Sequence, residues 1–308
     1  MALLRSTFIA LSRNSRLRHF SENSSLGRRM SSRFVAGFHL EDALAAAAAL
    51  NAQGLSVTLD SLGENVNTPA EAQRSAEVYH QLLDAIAGRH LDANVSLKLT
   101  QMGMDLSPDL AEEIVSGLVD HAVRTDSFVR VDMEGCGYTQ ATIDLVRRLH
   151  GKPANAGHVG IVIQSYLLRS AGDIALLLGD RIRIRLCKGA YKEPPELAFP
   201  EKKDVDANYV ALTKVLLTSG VFHGIATHDE AMIDATQALV REQAIDPASF
   251  EFQMLYGIRR DLQRSLVKEG YKVRVYVPFG EEWYPYFMRR LAERPANVLF
   301  IARQMLRK

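Results

Sequence analysis

The stretch that decides the fold reads Ile182-Arg183-Ile184-Arg185-Leu186-Cys187-Lys188-Gly189-Ala190-Tyr191. Apolar and polar residues alternate over its first six positions, which predicts a β-strand with one buried and one polar face. The strand ends in Lys188 and Gly189, and a glycine lets the backbone approach a ligand closely. The stretch is either an ordinary strand with solvated arginines or a strand that brings cations to an anionic ligand. The rest of the chain favours the ligand site.

Seven more segments are typical of strands, and helical segments separate them. The strands are predicted at Leu55–Asp60, Asn94–Thr100, Phe128–Glu134, Val159–Gln164, Val221–Thr227, Ser249–Met254 and Lys272–Val277. The helices are predicted at Glu41–Leu50, 69–88, from 108 onward, Thr139–His150, Ser170–Leu178, Asp204–Ser219, 229–243, Arg259–Glu269, Trp283–Glu293 and Asn297–Leu306. Eight strand–helix units over about 250 residues predict an α/β fold, a (β/α)8 barrel of the TIM type. An open doubly wound sheet is the main competitor, but it needs about six strands, and we find no GxGxxG turn.

Composition places the chain among ordinary globular proteins. It has 308 residues, of which 47% are hydrophobic and 24% charged, and its formal net charge is +1, so no overall field favours nucleic acid. The two cysteines, Cys136 and Cys187, form no CxxC pair and no metal-ligand spacing, so neither a disulfide scaffold nor a metal site is predicted. Because no low-complexity linker divides the body, residues 40–308 are predicted to form one barrel domain.

Residues 1–39 differ from the body of the chain. They contain seven arginines but a single acidic residue, Glu22. A sequence pattern typical of a helix continues into Ser31–Phe38. We therefore predict a basic amphipathic helical arm that lies on an anionic membrane or packs on the barrel. An organellar transit peptide has the same Arg- and Ser-rich, acid-poor character and is the alternative.

The strands carry an unusual polar face, which a barrel turns into its lumen. Its members are Thr58, Asp60, Ser96, Lys98, Thr100, Arg130, Asp132, Glu134, Gln164, Arg183, Arg185, Glu251, Gln253, Arg274 and Tyr276. An ordinary barrel fills this space with branched apolar side chains. Buried charges must be paired, so an ion-pair core is the structural explanation, and we assign the deeper Arg130 and Arg183 to it.

The polar residues nearest the carboxyl ends of the strands face the end of the barrel where TIM-type enzymes carry their active sites. This set is predicted to be functional and consists of Lys98, Asp132, Gln164, Arg185 and Tyr276. Arg289 and Arg290 lie in the helix that follows the last strand. They are either solvated surface charge, or they include an arginine that reaches over the same opening and binds a carboxylate bidentately.

Seven motifs, in order, resemble the proline dehydrogenase family. They are Ser96-Leu-Lys98-Leu, Val131-Asp132-Met-Glu134, Gln164-Ser-Tyr166, Arg185-Leu-Cys-Lys188-Gly189-Ala190-Tyr191, Ala226-Thr227-His228-Asp229, Phe252-Gln253-Met-Leu255-Tyr-Gly257 and Arg289-Arg290-Leu-Ala-Glu293. The resemblance extends over 34–306 and is closest to the short monofunctional bacterial form. Cys187 departs from it, since branched apolar residues are common at that position.

The resemblance implies a distorted barrel with a helix over its mouth and a non-covalently bound FAD. The implied reaction is oxidation of L-proline to 1-pyrroline-5-carboxylate, the first step of proline catabolism to glutamate. Electrons would pass to ubiquinone or menaquinone, and the product to a separate pyrroline-5-carboxylate dehydrogenase. The implied location is cytoplasmic, peripheral to the inner membrane, or mitochondrial if the amino terminus is a transit peptide.

The resemblance also implies a role for individual residues. Arg289, Arg290 and Lys98 would bind the proline carboxylate. The proline ring would be enclosed by Tyr276, Leu255 and Tyr191. Asp132 would hold Lys98, Arg185 would lie by flavin N5, and Gln164 would touch the flavin ring. Further FAD contacts are implied for Met133, Lys188, Gly189, Ala190, Thr227 and His228. Glu64 would pair with Arg289 as a gate over the substrate.

Two other functions fit parts of the pattern. A Schiff-base aldolase also uses a lysine at a strand end with a neighbouring acid, here Lys98 and Asp132. An inactive barrel used for binding or assembly is the other, but it does not explain a complete cationic cluster.

Overall fold

The computed structural model describes residues 32–191 and 193–293, and from residue 289 onward it describes the backbone only. The predicted arm over residues 1–31 and the helix predicted at Asn297–Leu306 lie outside the described residues. The strands are β1 (Ser56–Ser61), β2 (Ala93–Leu97), β3 (Val129–Val131), β4 (Val159–Gln164), β5 (Arg183–Cys187), β6 (His223–Ala226), β7 (Phe250–Leu255) and β8 (Lys272–Phe279). The helices are α1 (Leu40–Asn51), α2 (Pro69–Gly88), α3 (Pro108–Arg124), α4 (Thr139–His150), α5 (Ser170–Gly179), α6 (Lys202–Leu217), α7 (Glu230–Glu242), α8 (Arg260–Lys268) and α9 (Trp283–Glu293).

The eight strands close into a parallel barrel in sequence order, β1 to β8. Closure is visible at Thr58 of β1, which is in register with Asn94 of β2 on one side and Tyr276 of β8 on the other. The prediction of a (β/α)8 barrel is therefore confirmed, and the open doubly wound sheet is excluded. Within the described residues, no helix has the length and apolar character to cross a bilayer.

Helix starts follow the predicted local chemistry. The hydroxyl of Thr68 accepts a hydrogen bond from the Glu71 amide at 3.2 Å, and Pro69 occupies the first helical position of α2. The α7 helix begins in the same way, because the Asp229 carboxylate accepts from the Ala231 amide at 3.2 Å. These caps fix where each helix leaves the loop on the mouth side of the barrel.

The two faces of the strands separate as the alternation predicts. The apolar face packs against the helices, with Val57, Leu59, Val129 and Val131 completely buried. The polar face fills the lumen with hydrogen-bonded side chains, which are described with the site below. The barrel thus contains an apolar core outside the sheet and a polar core inside it.

Strands β2 and β3 are shorter than predicted. The predictions ran to Thr100 and Glu134, whereas the ladders end at Leu97 and Val131. The cause is that a side chain takes the place of a backbone acceptor. The Glu134 carboxylate accepts hydrogen bonds from the amide of Thr100 at 3.0 Å and from its hydroxyl at 2.6 Å. The residues freed from the ladder form the rim of the mouth.

The segment before α1 packs on the barrel rather than forming a helix. Residues 32–39 make turns and bends, so the helix predicted at Ser31–Phe38 is wrong over this described part. Phe34 and Val35 are buried against α9, and the Ala36 amide donates to the Pro278 carbonyl at 2.9 Å. The hydrogen bond to the end of β8 and the burial of two adjacent apolar residues favour an irregular, packed segment over a helix.

Candidate active site

One carboxylate organises the mouth of the barrel. Asp132, the first residue after β3, accepts through Oδ1 from the Ser96 hydroxyl at 2.6 Å and from Arg185 Nη1 at 2.8 Å. Its Oδ2 accepts from the Tyr276 hydroxyl at 2.8 Å. Residues from the second, third, fifth and eighth strands, or from their ends, therefore converge on one group, and of the predicted set Asp132, Arg185 and Tyr276 are in direct contact.

Lys98 lies between two carboxylates at the end of β2. Its Nζ is 3.5 Å from Asp60 Oδ1 and 3.8 Å from Asp132 Oδ2. Burial alone lowers the pKa of Lys98, but the charges of Asp60 and Asp132 outweigh it, and the pKa lies above its ordinary value. Lys98 is thus held as a cation suited to binding an anion, whereas a Schiff-base lysine must react as the free amine. This environment disfavours the aldolase alternative.

Asp60 is the nearer partner of Lys98, and the residue roles taken from the family resemblance did not include it. It is 1% exposed, and burial raises the pKa of its carboxyl. The Tyr79 hydroxyl lies 3.4 Å from Asp60 Oδ1 and 3.1 Å from Gln101 Oε1. The signal that points to Asp60 is its place at the carboxyl end of the first strand, in the polar phase.

Arg185 is held rigidly across the lumen. Its Nε donates to Gln253 Oε1 at 2.5 Å, its Nη1 also lies 3.2 Å from the Ser96 hydroxyl, and its guanidinium stacks 5.1 Å from the centre of the Tyr276 ring. The Gln253 amide in turn donates to Glu251 at 2.6 Å. Ser96 and Gln253 thus fix the orientation of a cation that points toward the mouth, and the residue-by-residue resemblance assigned them no role.

A deeper polar layer supports this one. The Arg130 guanidinium donates to the carbonyls of Ile161 at 3.1 Å and Arg183 at 2.7 Å, and it stacks 4.7 Å from the centre of the Phe128 ring. Burial, followed by repulsion from Arg185, lowers the pKa of Arg130. Backbone carbonyls and an aromatic ring satisfy this arginine, which agrees with a structural role.

A second charged cluster lies beyond the end of β5. Lys188 donates to Asp206 and, at 2.8 Å, to Asp229, and Lys202 pairs with Asp206. The hydrogen bond from Lys188 holds the pKa of Asp229 below its ordinary value. The cluster lies beside Thr227, whose hydroxyl accepts from the Asp229 amide at 3.1 Å.

The remaining residues with predicted cofactor roles lie on the same side of the barrel. The Gln164 amide donates to the Glu134 carbonyl at 3.0 Å, in the loop that carries Met133. His228 accepts from the Leu255 amide at 2.7 Å through Nε2, so its ring proton resides on Nδ1. Ala190 is exposed in the loop after β5.

The loop after β1 borders a cavity of about 560 Å³. Its lining includes Glu64, Arg74, Gln101 and Glu282, so it lies between the loop after β1, helix α2, the loop after β2 and the start of α9. Glu64 is also close enough to Lys98 to raise the pKa of that lysine. The cavity therefore opens beside the predicted gate residue.

The predicted carboxylate clamp is only partly described. The α9 helix packs through Trp283 and Phe287 onto Phe34, Val35 and Ile258, across the carboxyl-terminal side of the barrel. Arg289 and Arg290 belong to this helix, but their side chains lie outside the described residues. Their roles, like those of the other named site residues, remain predictions.

Comparisons with known proteins converge on one family. A sequence profile of the proline dehydrogenase family matches residues 43–303. Proline dehydrogenase 1 of Bacillus subtilis subsp. natto is 42% identical over 308 residues, which cover 99% of this chain and 100% of that protein. The proline dehydrogenase of Deinococcus radiodurans is 42% identical over 281 residues, 90% of each chain.

Solved structures give the same answer for the fold. Proline utilization A (PutA) from Bdellovibrio bacteriovorus, inactivated by N-propargylglycine, superposes with a TM-score of 0.83 at 25% identity. The match covers 94% of this chain but only 36% of that larger one.

Proposed function

This chain belongs to the proline dehydrogenase family, and from that membership we propose that it oxidises L-proline to 1-pyrroline-5-carboxylate with a non-covalently bound FAD. The observation that supports the proposal most is the pair of fixed cations, Lys98 and Arg185, held at the mouth by the shared carboxylate of Asp132. A small amino acid offers little apolar surface, so its affinity must come largely from its carboxylate.

Lys98, Arg289 and Arg290 would bind that carboxylate. The position of Lys98 is set before substrate arrives, because the carboxylates of Asp60 and Asp132 both pair with its ammonium group. Tyr276, Leu255 and Tyr191 would enclose the ring, and Tyr191 lies near enough to Lys98 to contribute to its pKa. Glu64 would close the mouth with Arg289 and exclude water.

The residues at the ends of β4 to β6 fit FAD. Gln164 would contact the ring system, and Lys188, Gly189, Ala190, Thr227 and His228, with the backbone of Met133, would hold the rest of the molecule. Bound FAD supplies the hydride acceptor for the oxidation. Arg185 adds a fixed positive charge, which favours a reduced flavin when it lies near N1 or N5. Its bonds to Gln253 and Asp132 keep that charge in one place.

We also propose where the electrons and the product go. Ubiquinone or menaquinone would accept the electrons at a membrane surface, with the protein cytoplasmic and peripheral to the inner membrane. A separate pyrroline-5-carboxylate dehydrogenase would consume the product in the catabolism of proline to glutamate. Removal of residues 1–33 is expected to weaken vesicle binding more than turnover with a soluble dye. Equal loss of both would contradict a membrane role for that segment.

The reaction itself is tested by turnover with an electron-accepting dye. The purified chain, supplied with FAD, is expected to reduce the dye with L-proline but not with D-proline, and the product is expected to be trapped by o-aminobenzaldehyde. A chain that retains FAD and yet reduces no dye with L-proline would contradict the proposal.

A further inference from the structure

The loop between β5 and α6, residues 188–201, is tied at both ends to the loop after β4. The Tyr166 amide donates to the Lys188 carbonyl at 3.0 Å, and the Leu168 amide to the Leu197 carbonyl at 2.9 Å. The Phe199 amide donates back to the Tyr166 carbonyl at 2.8 Å. These bonds fix where the loop begins and ends. The part of the loop that carries Tyr191 lies between them and is positioned by other contacts.

One further contact fixes the first turn of this loop. Gly189 has a φ of +109°, and a Cβ added there would lie 2.2 Å from Cδ1 of Tyr166. The backbone therefore lies directly on the Tyr166 ring, and only glycine permits both the conformation and the approach.

Glu193 provides a second contact, which reaches across to a different loop. Its Oε1 accepts from the Cys136 amide at 2.8 Å and lies 3.4 Å from the Tyr166 hydroxyl. Cys136 follows Asp132 by four residues, in the loop that begins at the end of β3. Glu193 thus joins the loop that carries Tyr191 to the loop that carries the central carboxylate of the site.

The charges around Glu193 suit this contact. Burial, together with the Glu193 charge, raises the pKa of the Tyr166 hydroxyl, which therefore stays protonated and able to donate. The hydrogen bond to Glu193 likewise raises the pKa of the Cys136 thiol. The donors around Glu193 are neutral, so the carboxylate accepts charge-assisted hydrogen bonds, which are stronger than those between neutral groups.

We propose that Glu193 is a positioning residue that sets where Tyr191 stands over the mouth, and thereby how closely the ring of a cyclic amino acid is enclosed. The inference rests on the proposed function, because Tyr191 matters to catalysis only if such a ring binds beside Lys98. Glu193 and Tyr191 are two residues apart, so displacement of one moves the other.

The test compares Glu193→Ala and Glu193→Gln with Glu196→Ala, a matched change at an exposed position of the same loop. Glu193→Ala is expected to raise KM for L-proline about five- to thirtyfold, because the charge-assisted hydrogen bonds that hold this loop are lost. It is expected to leave kcat within about twofold, because the loop encloses substrate without reacting. Glu193→Gln keeps an acceptor but loses its charge, so its effect is expected to be intermediate.

Two readouts separate positioning from a general structural role. Discrimination between L-proline and trans-4-hydroxy-L-proline is expected to fall in Glu193→Ala, since a looser wall distinguishes ring substituents less well. Amide hydrogen exchange at Cys136 is expected to quicken in the same variant, while the amides of the strands keep their protection. This second readout does not depend on activity.

The outcomes also separate this inference from the proposed function. A wild-type chain that does not oxidise L-proline would overturn both. A wild-type chain that does, together with a Glu193→Ala variant that matches Glu196→Ala in KM and discrimination, would overturn the inference alone. Unchanged exchange at Cys136 in Glu193→Ala would do the same.

Discussion

Replacement of Asp132 with asparagine tests the carboxylate that joins Ser96, Arg185 and Tyr276 at the mouth of the barrel. Asparagine keeps one oxygen acceptor but puts an amide donor where Asp132 accepts from Tyr276 or from Arg185. It also leaves Arg185, which is 7% exposed, beside a neutral group. Breaking a buried ion pair by removal of one partner costs about 3–5 kcal/mol, and because asparagine keeps part of the hydrogen bonding, we expect a loss of roughly 3 kcal/mol in unfolding free energy.

The same change is expected to lower kcat/KM for L-proline about ten- to hundredfold, since Lys98 and Tyr276 lose the acceptor that positions them. Urea unfolding gives the stability, and dye-linked turnover gives the kinetics. Asp180→Asn is the matched control: its pair with Arg147 is more than a third exposed on both sides, so its loss is expected to be within about 1 kcal/mol. An Asp132→Asn variant as stable and as active as Asp180→Asn would refute the organising role of Asp132.

Three further substitutions have an expected effect on substrate binding or on stability. Lys98→Met is expected to raise KM for L-proline about ten- to hundredfold while FAD stays bound, because a cation that faces the carboxylate is lost; unchanged KM would remove Lys98 from the clamp. Gly189→Ala is expected to destabilise the fold by about 1–3 kcal/mol through its positive φ and its contact with Tyr166, whereas Gly179→Ala, with open space around its Cα, is expected to be neutral or slightly stabilising in the same urea titration. Burial lowers the pKa of His223 from 6.5 to about 3, so the stability it contributes is present above pH 6.5 and is lost as the pH falls toward 3. Between neutral pH and about pH 4.5 this loss is roughly 2–3 kcal/mol, and it is expected to be absent in His223→Asn; equal pH dependence of the two unfolding curves would show that His223 is not the titrating group.

The barrel could be predicted because its signals are local and repeated. The strand predicted at Val159–Gln164 and the helix predicted at Thr139–His150 have the observed bounds of β4 and α4. The ends of β2 and β3 were predicted too far along, because a strand pattern does not reveal that Glu134 will take the amide of Thr100. The segment from Phe34 was misassigned for a similar reason, since its burial under α9 is a contact between distant parts of the chain.

The sequence pattern predicted which side chains of the site face the lumen, but not which of them pair with one another. The period of a strand indicates that Lys98, Asp132, Arg185 and Tyr276 face the lumen, and the structure brings them together. It does not indicate that Lys98 lies nearer to Asp60 than to Asp132, because that depends on the stagger of neighbouring strands. Glu193 has no periodic signal at all: it lies in a loop, and its partner Cys136 is 57 residues away.

A visible absorption spectrum tests most directly whether the polar mouth of this barrel holds L-proline against a flavin. The purified chain is loaded with FAD, freed of oxygen, and measured before and after addition of L-proline. We expect the absorption of oxidised flavin to disappear on addition of L-proline and to persist on addition of D-proline. A chain that carries FAD and keeps the spectrum of oxidised flavin with L-proline in excess would contradict the account.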